Sequence, residues 1–97
     1  MFRMKIYNVR GEILVAVCDS EIVGKTFSDG KLRIEVKESF YGNEEFKEEE
    51  VTEALKKATI ANITGEKAVS LAIKLGIVDK KRVLRISGCP HAQMVLL

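Results

Sequence analysis

Tryptophan is absent from this 97-residue chain, and there are only one proline, one histidine and two cysteines. Each shortage excludes something. A single proline with seven glycines leaves no proline-rich linker and no low-complexity tract. Two cysteines, Cys18 and Cys89, are too few for a disulfide scaffold. No CxxC pair is present, and a closed zinc site needs four ligands, so no metal or other cofactor is expected. The one histidine, His91, is the only side chain whose ordinary titration lies near neutrality. No apolar run approaches the ~20 residues of a membrane span. Arg3 and Lys5 interrupt the start of the chain, which does not read as a signal peptide. The expected setting is the cytoplasm, with reduced thiols. The net charge of +2 is far from the excess of a histone-like protein. A single glutamine beside abundant Lys and Glu is the balance of proteins from hot environments.

What is present is the size and composition of one domain, 1–97, with 46% hydrophobic and 31% charged residues. In Phe2–Tyr7, Lys31–Lys37 and Val83–Ser87, apolar and polar residues alternate with period two. As strands these direct Phe2, Met4, Ile6, Leu32, Ile34, Val36, Leu84 and Ile86 to one side. Arg3, Lys5, Lys31, Arg33, Lys37 and Arg85 go to the other, which predicts a sheet with an open basic face. Arg10-Gly11 reads as a hairpin turn into Glu12–Cys18. That second strand is apolar on both faces and therefore needs cover on both. Asp29-Gly30 is a further turn signal.

Lys47–Ile60 reads as a helix, because Val51, Ala54, Leu55 and Ala58 share one face. Glu48, Glu49 and Glu50 open it and Lys56 and Lys57 close it, which matches the helix dipole and needs no functional explanation. Ala61–Ile63 reads as a link to a second helix, N-capped by Thr64 and ended at Gly76. Gly88–His91 reads as a break before a last strand, Gln93–Leu97. The order β-β-β-α-α-β-β predicts an α+β domain: a mostly antiparallel sheet of about five strands with two adjacent helices on one face.

Three groupings carry chemical possibilities. The basic strand face suits RNA phosphates, with Tyr7 able to stack on a base, although a solvated strand face also carries Lys and Arg. Cys18, Asp19 and His91 would supply thiolate, orienting carboxylate and base if they converge. Against this stands the ordinary reading of two small buried cysteines and a histidine bonded to backbone. Gly24-Lys25-Thr26 resembles the end of a phosphate loop, but the glycine required five positions earlier is Asp19, which excludes that loop. Asn62–Glu66 opens a helix and could receive an anion, as any helix start could. A helix-turn-helix reader is disfavoured, because the second helix would expose only Glu66, Lys67, Ser70 and Lys74.

One resemblance spans nearly the whole chain. The strings Ala16-Val17-Cys18-Asp19, Gly24-Lys25-Thr26-Phe27, Gly30-Lys31-Leu32, Ser39-Phe40-Tyr41-Gly42, Ala58-Thr59-Ile60-Ala61-Asn62 and Pro90-His91-Ala92-Gln93 resemble a family of small archaeal proteins, domain of unknown function 424. The resemblance implies an archaeal cytosolic protein and no particular activity. Its polar motif residues Asp19, Lys25, Tyr41, Asn62 and His91 fall in turns, which points to a shared site more than to packing.

The favoured expectation is a non-enzymatic module for RNA or a ribonucleoprotein such as the ribosome. Arg3, Lys5, Lys31, Arg33 and Arg85 would contact phosphates, and Lys25, Tyr41, Asn62 and His91 would add local recognition. One alternative is a small enzyme or enzyme subunit using Cys18, Asp19 and His91 on an anionic substrate. Another is an interaction module or homodimer joined through Phe40–Phe46 or Gln93–Leu97.

Overall fold

A computed structural model describes all 97 residues. The first two strands, β1 (Phe2–Val9) and β2 (Glu12–Asp19), form the expected hairpin. Arg10 and Gly11 both have positive φ, 51° and 84°, the geometry a two-residue hairpin turn requires. A separate small hairpin follows, β3 (Thr26–Asp29) and β4 (Leu32–Glu35), turned at Asp29-Gly30. Next come a single helical turn α1 (Glu38–Tyr41), a two-residue strand β5 (Glu45–Phe46) and helix α2 (Glu48–Lys57). Strand β6 (Ile60–Thr64), helix α3 (Glu66–Lys74), β7 (Leu84–Ile86) and β8 (Cys89–Val95) complete the chain. The fold is α+β, with a mostly antiparallel six-stranded sheet in the order β5-β1-β2-β6-β8-β7.

Besides the short elements β3, α1 and β5, which were not expected, and α2, which ends at Lys57 rather than Ile60, two segments depart from the sequence reading. Ile60–Thr64 is not a link between helices but a central strand, parallel to β2 and antiparallel to β8. Its run Ile-Ala-Asn-Ile-Thr is short and has no turn signals, so only the long-range pairing identifies it. The break at Gly88–His91 is also smaller than expected. Ser87 and Gly88, at φ 52° and 83°, make a tight turn that pairs Ile86 with Cys89, and β8 begins at once. Pro90 sits inside β8 without harm. Its carbonyl accepts from Gly65 N at 2.9 Å, while the Gly65 carbonyl, which a residue with an N–H would have sought, is taken by Val69 N at 3.0 Å.

Helices α2 and α3 cover one face of the sheet. Val15 and Val17 from β2, Ala61 and Ile63 from β6 and Ala92 from β8 meet Val51, Leu55, Ala68 and Ala72 in the main core. The other face has a second, smaller core. Ala16 and Cys18 are covered by Val36 and Tyr41, with Phe27, Phe40, Ile22 and Val23 around them. This satisfies the two-sided apolar pattern of β2. The aromatics of the Phe40–Phe46 segment dock on the protein's own cores: Tyr41 in the smaller one, Phe40 beside it, Phe46 against the larger. They are not held out for a partner.

The smaller lid covers only part of its face. The register Tyr7–Leu14–Ile60–Val95 and, one step on, Lys5–Ala16–Asn62–Gln93 and Arg3–Cys18–Thr64–His91–Leu84 shows which side chains share it. The end carrying Asn62, His91, Gln93, Val95 and Leu84 stays half-buried or exposed.

Candidate functional site

The basic face expected from the sequence is not assembled. Leu84 shares a face with Arg3, so Arg85, its neighbour, points to the opposite, helix-bearing side and pairs with Glu66 at 2.7 Å. Lys31 and Arg33 belong to the separate hairpin, where Arg33 lies 3.5 Å from Glu35. Arg3 is drawn in under α1: its guanidinium meets Glu45 at 2.6 Å, Glu38 at 3.5 Å and the Gly42 carbonyl at 3.1 Å. The Glu45 bond, partly offset by burial, raises the Arg3 pKa. Lys5 donates to the Ser39 carbonyl at 3.3 Å and lies over the Tyr7 ring. Tyr7 stacks on Phe40 and donates to its carbonyl at 2.7 Å. Period two assigns sides within a strand. It cannot say that two strands share a sheet.

The proposed catalytic trio is dispersed. Cys18 and Asp19 are sequence neighbours in one strand and therefore face opposite sides of the sheet. Cys18 is fully buried in the small core, and burial, with the nearby Asp19 charge, pushes its thiol up to about 12. Such a thiol is not a nucleophile near neutrality. Cys89 is buried too and raised by the same cause. Asp19 serves as a cap for another element. Its Oδ2 accepts from Lys67 N at 3.0 Å and its Oδ1 from Ala68 N at 2.8 Å, which satisfies the free N–H groups at the start of α3. Burial raises its carboxyl pKa, against the lowering effect of these two bonds. Thr64 is thus not the N-cap; that residue is Gly65, at φ 112°. A Cβ on Gly65 would lie 2.5 Å from the Asp19 carboxyl carbon, so glycine is required there. The start of α3 already holds its own anion and has no place for a phosphate.

A cleft of about 380 Å³ lies beside that cap, bounded by Ile22, Phe27, Cys89 and Pro90 and by Asp19, Glu21, Glu66 and Lys67. Its charged groups are engaged internally: Lys67 with Glu21 at 3.0 Å, Glu66 with Arg85, Asp19 with the helix start. No three His, Cys, Asp or Glu side chains converge as metal ligands anywhere in the molecule.

The open part of the smaller-lid face is different. Three motif residues, Tyr41, Asn62 and His91, converge there with two that the sequence reading had not chosen, Thr64 and Gln93. Tyr41 Oη lies 2.8 Å from Thr64 Oγ1, and Thr64 Oγ1 lies 2.8 Å from His91 Nδ1. Thr64 is fully buried and Tyr41 nearly so. Burial pushes the Tyr41 phenol up to about 12 and holds the His91 imidazole below its ordinary value. Both are neutral at pH 7. Tyr41 Oη, Thr64 Oγ1 and His91 Nδ1 thus form one hydrogen-bonded chain, whose direction follows the imidazole tautomer. Gln93 Nε2 donates to Asn62 Oδ1 at 3.1 Å and lies 3.5 Å from His91 Nε2, to which it donates when that nitrogen carries no hydrogen.

This end of the face forms a slot of about 280 Å³ lined by Arg82, Leu84, His91, Ala92 and Gln93. Arg82 ends a short 3-10 turn, Lys80–Arg82, held by Asp79, whose Oδ1 accepts from Lys81 N at 2.9 Å. Arg82 makes no ion pair, and no carboxylate lines the slot. Lys25 is not part of it. It is exposed at the base of the small hairpin, with its backbone bonded to Ile22 and Val36. Thr64 was legible only through pairing, beside His91, and Gln93, though within the Pro90–Gln93 motif string, joined the site only by its pairing with Asn62.

No helix is long and apolar enough to cross a membrane. A family model described as protein of unknown function (DUF424) matches residues 7–97. No curated protein matches the sequence. The crystal structure of an uncharacterized conserved protein from Methanopyrus kandleri is similar, with a TM-score of 0.80 at 21% identity, over 99% of this chain and 91% of that one. At this identity the likeness establishes the fold alone.

Proposed function

The chain belongs to the DUF424 family, and from that premise we propose that it is a non-enzymatic, cytoplasmic module that binds single-stranded RNA, free or within a ribonucleoprotein such as the ribosome, at the slot around His91. The observation that carries this reading is a set of open, neutral hydrogen-bonding groups, Asn62, His91 and Gln93, on a sheet face beside an unpaired cation, Arg82. Amide and imidazole groups on a strand surface suit the edges of unstacked bases, and the Lys80–Arg82 turn suits the phosphates beside them. The exposed Leu84 and Val95 add apolar area on which a base can rest. The two buried, unbonded thiols accord with a reducing compartment.

Binding fits this slot better than turnover does. Apart from His91, no group lining it changes charge near neutrality, and no nucleophile or carboxylate stands beside the imidazole to complete an acid–base pair. Of the five basic residues first expected to hold phosphates, Arg3, Arg33 and Arg85 are each engaged with a carboxylate, Lys5 donates to the Ser39 carbonyl, and Lys31 lies in the turn of the separate hairpin.

Fluorescence anisotropy with a short single-stranded RNA and with ribosomal subunits tests the reading. Affinity should fall steeply between about 50 and 200 mM salt. Asn62→Ala and Gln93→Ala should weaken it severalfold, and Arg33→Ala should not. Absence of salt-sensitive association with either probe removes the proposal.

A further inference from the structure

We infer that a second copy of this chain docks on the outer edge of β1, so that the two sheets join as one across a two-fold axis. The surface is separate from the proposed RNA slot, which lies on β8 and β7, away from β1 in the strand order. β1 has eight residues, but β5 pairs only with Phe2 and Arg3. The rest of its outer side has no partner strand. Ser20 N donates to the Met1 carbonyl, so Met1, Arg3, Lys5 and Tyr7 turn their backbone groups towards β2. Met4, Ile6 and Asn8 then turn theirs outward. Gly42 closes off Met4: a Cβ there would lie 3.0 Å from the Met4 carbonyl. Ile6 and Asn8 stay open, each with an N–H and a C=O, and the Ile6 side chain beside them is 48% exposed. A lysine on an edge strand ordinarily repels a partner. Lys5 is instead drawn back onto the Ser39 carbonyl and the Tyr7 ring. The opposite edge suits a partner less, because β7 has only three residues and the small hairpin packs against it.

Register and charge favour a second copy over an unrelated strand. An antiparallel pair centred on Tyr7 sets Ile6 of each copy opposite Asn8 of the other, and each such pair exchanges both backbone bonds. Lys5 then faces the exposed Val9, so no like charges meet. The same register brings Arg10 of one copy level with Met4 of the other. There a cleft of about 330 Å³, formed by Met4, Lys5 and Gly42, carries the carboxylates of Glu38 and Glu44. Arg10 and Glu44 make no ion pair within the chain. Across the axis they complete one, and symmetry repeats it. The interface is small, so the pairing is reversible and depends on concentration.

Sedimentation equilibrium of the full chain, without RNA, tests this. The mass should rise from 10.8 kDa towards twice that value as concentration increases. Asn8→Pro removes an outward N–H and spares the β1–β2 ladder, so it should stay monomeric with a denaturation midpoint close to the native one. Arg10→Glu and Glu44→Arg should each weaken the dimer severalfold, and the double variant should recover most of the loss. Both positions are exposed, so these reversals decide alone if Asn8→Pro does not fold. A chain that stays monomeric up to its solubility limit overturns the inference. A dimer that folded Asn8→Pro leaves intact, or one indifferent to both charge reversals, lies on another face and overturns it too. Failure on these grounds leaves RNA binding standing, since no RNA enters the measurement.

Discussion

Ile63 and Thr64 are neighbours in β6 and enter the two different worlds on either side of the sheet. Ile63 joins a dry core of fifteen buried residues under α2 and α3. Thr64 enters a core of four, where it is the middle link of a polar chain that ends at a half-open histidine. The helix-bearing face closes by burying apolar area, and no buried polar side-chain atom on either face lacks a partner. The other face closes only over Ala16, Cys18, Val36 and Tyr41 and leaves Asn62, His91 and Gln93 with loose partners. Stability and recognition are thereby separated across one layer of backbone.

This contrast can be broken by experiment. The largest effect is expected on the helix face. Ile63→Ala should cost roughly 3–4 kcal/mol in chemical denaturation, because no neighbour in a closed core can fill the space. Gly65→Ala comes next, at about 3 kcal/mol, since it strains a φ of 112° and drives a methyl group into the Asp19 cap. Thr64→Val should cost about 2 kcal/mol by leaving Tyr41 Oη and His91 Nδ1 without partners. It should also blunt RNA binding by loosening the imidazole. If Thr64→Val proves as costly as Ile63→Ala, the two faces do not differ as described.

A smaller effect follows from pH. Burial holds the folded His91 below its ordinary value of 6.5. The unfolded chain then takes the proton first as pH falls, and stability should decline from about pH 6.5 downward. Asp19, raised by burial, works in the opposite sense at lower pH: its folded carboxyl takes the proton before the unfolded one does. The decline is therefore cleanest between pH 7 and 5, and denaturation midpoints of the native chain and His91→Gln should converge at the lower value. The smallest effect is Gln93→Ala, an exposed change expected to shift stability by no more than about 0.5 kcal/mol while weakening RNA. A large stability loss there would mean that Gln93 is structural.

Local patterns were enough for several elements. The Arg10-Gly11 and Asp29-Gly30 turns, the β1–β2 strands and the stripes of α2 and α3 followed from glycine geometry and residue period. The two-sided apolar run of β2 correctly demanded cover on both faces. Strand β6 was missed because five residues between two helices carry too little periodicity to be told from a link. The site was partly visible: Tyr41, Asn62 and His91 stood out by resemblance, while Thr64 became visible, and Gln93 was placed beside Asn62, only when β6 and β8 paired.

By itself, the sequence determined an α+β domain, its turns and helices, and a demand for burial on both sides of β2, because these depend on contacts a few residues long. Only the tertiary structure decided that Arg3 and Arg85 face opposite ways, that Asp19 caps a helix 48 residues on, and that Tyr41, Thr64 and His91 form one chain. Those relations depend on which strands are neighbours. That choice is made by the burial of whole faces and by long-range pairing, and no local spacing of residues encodes it.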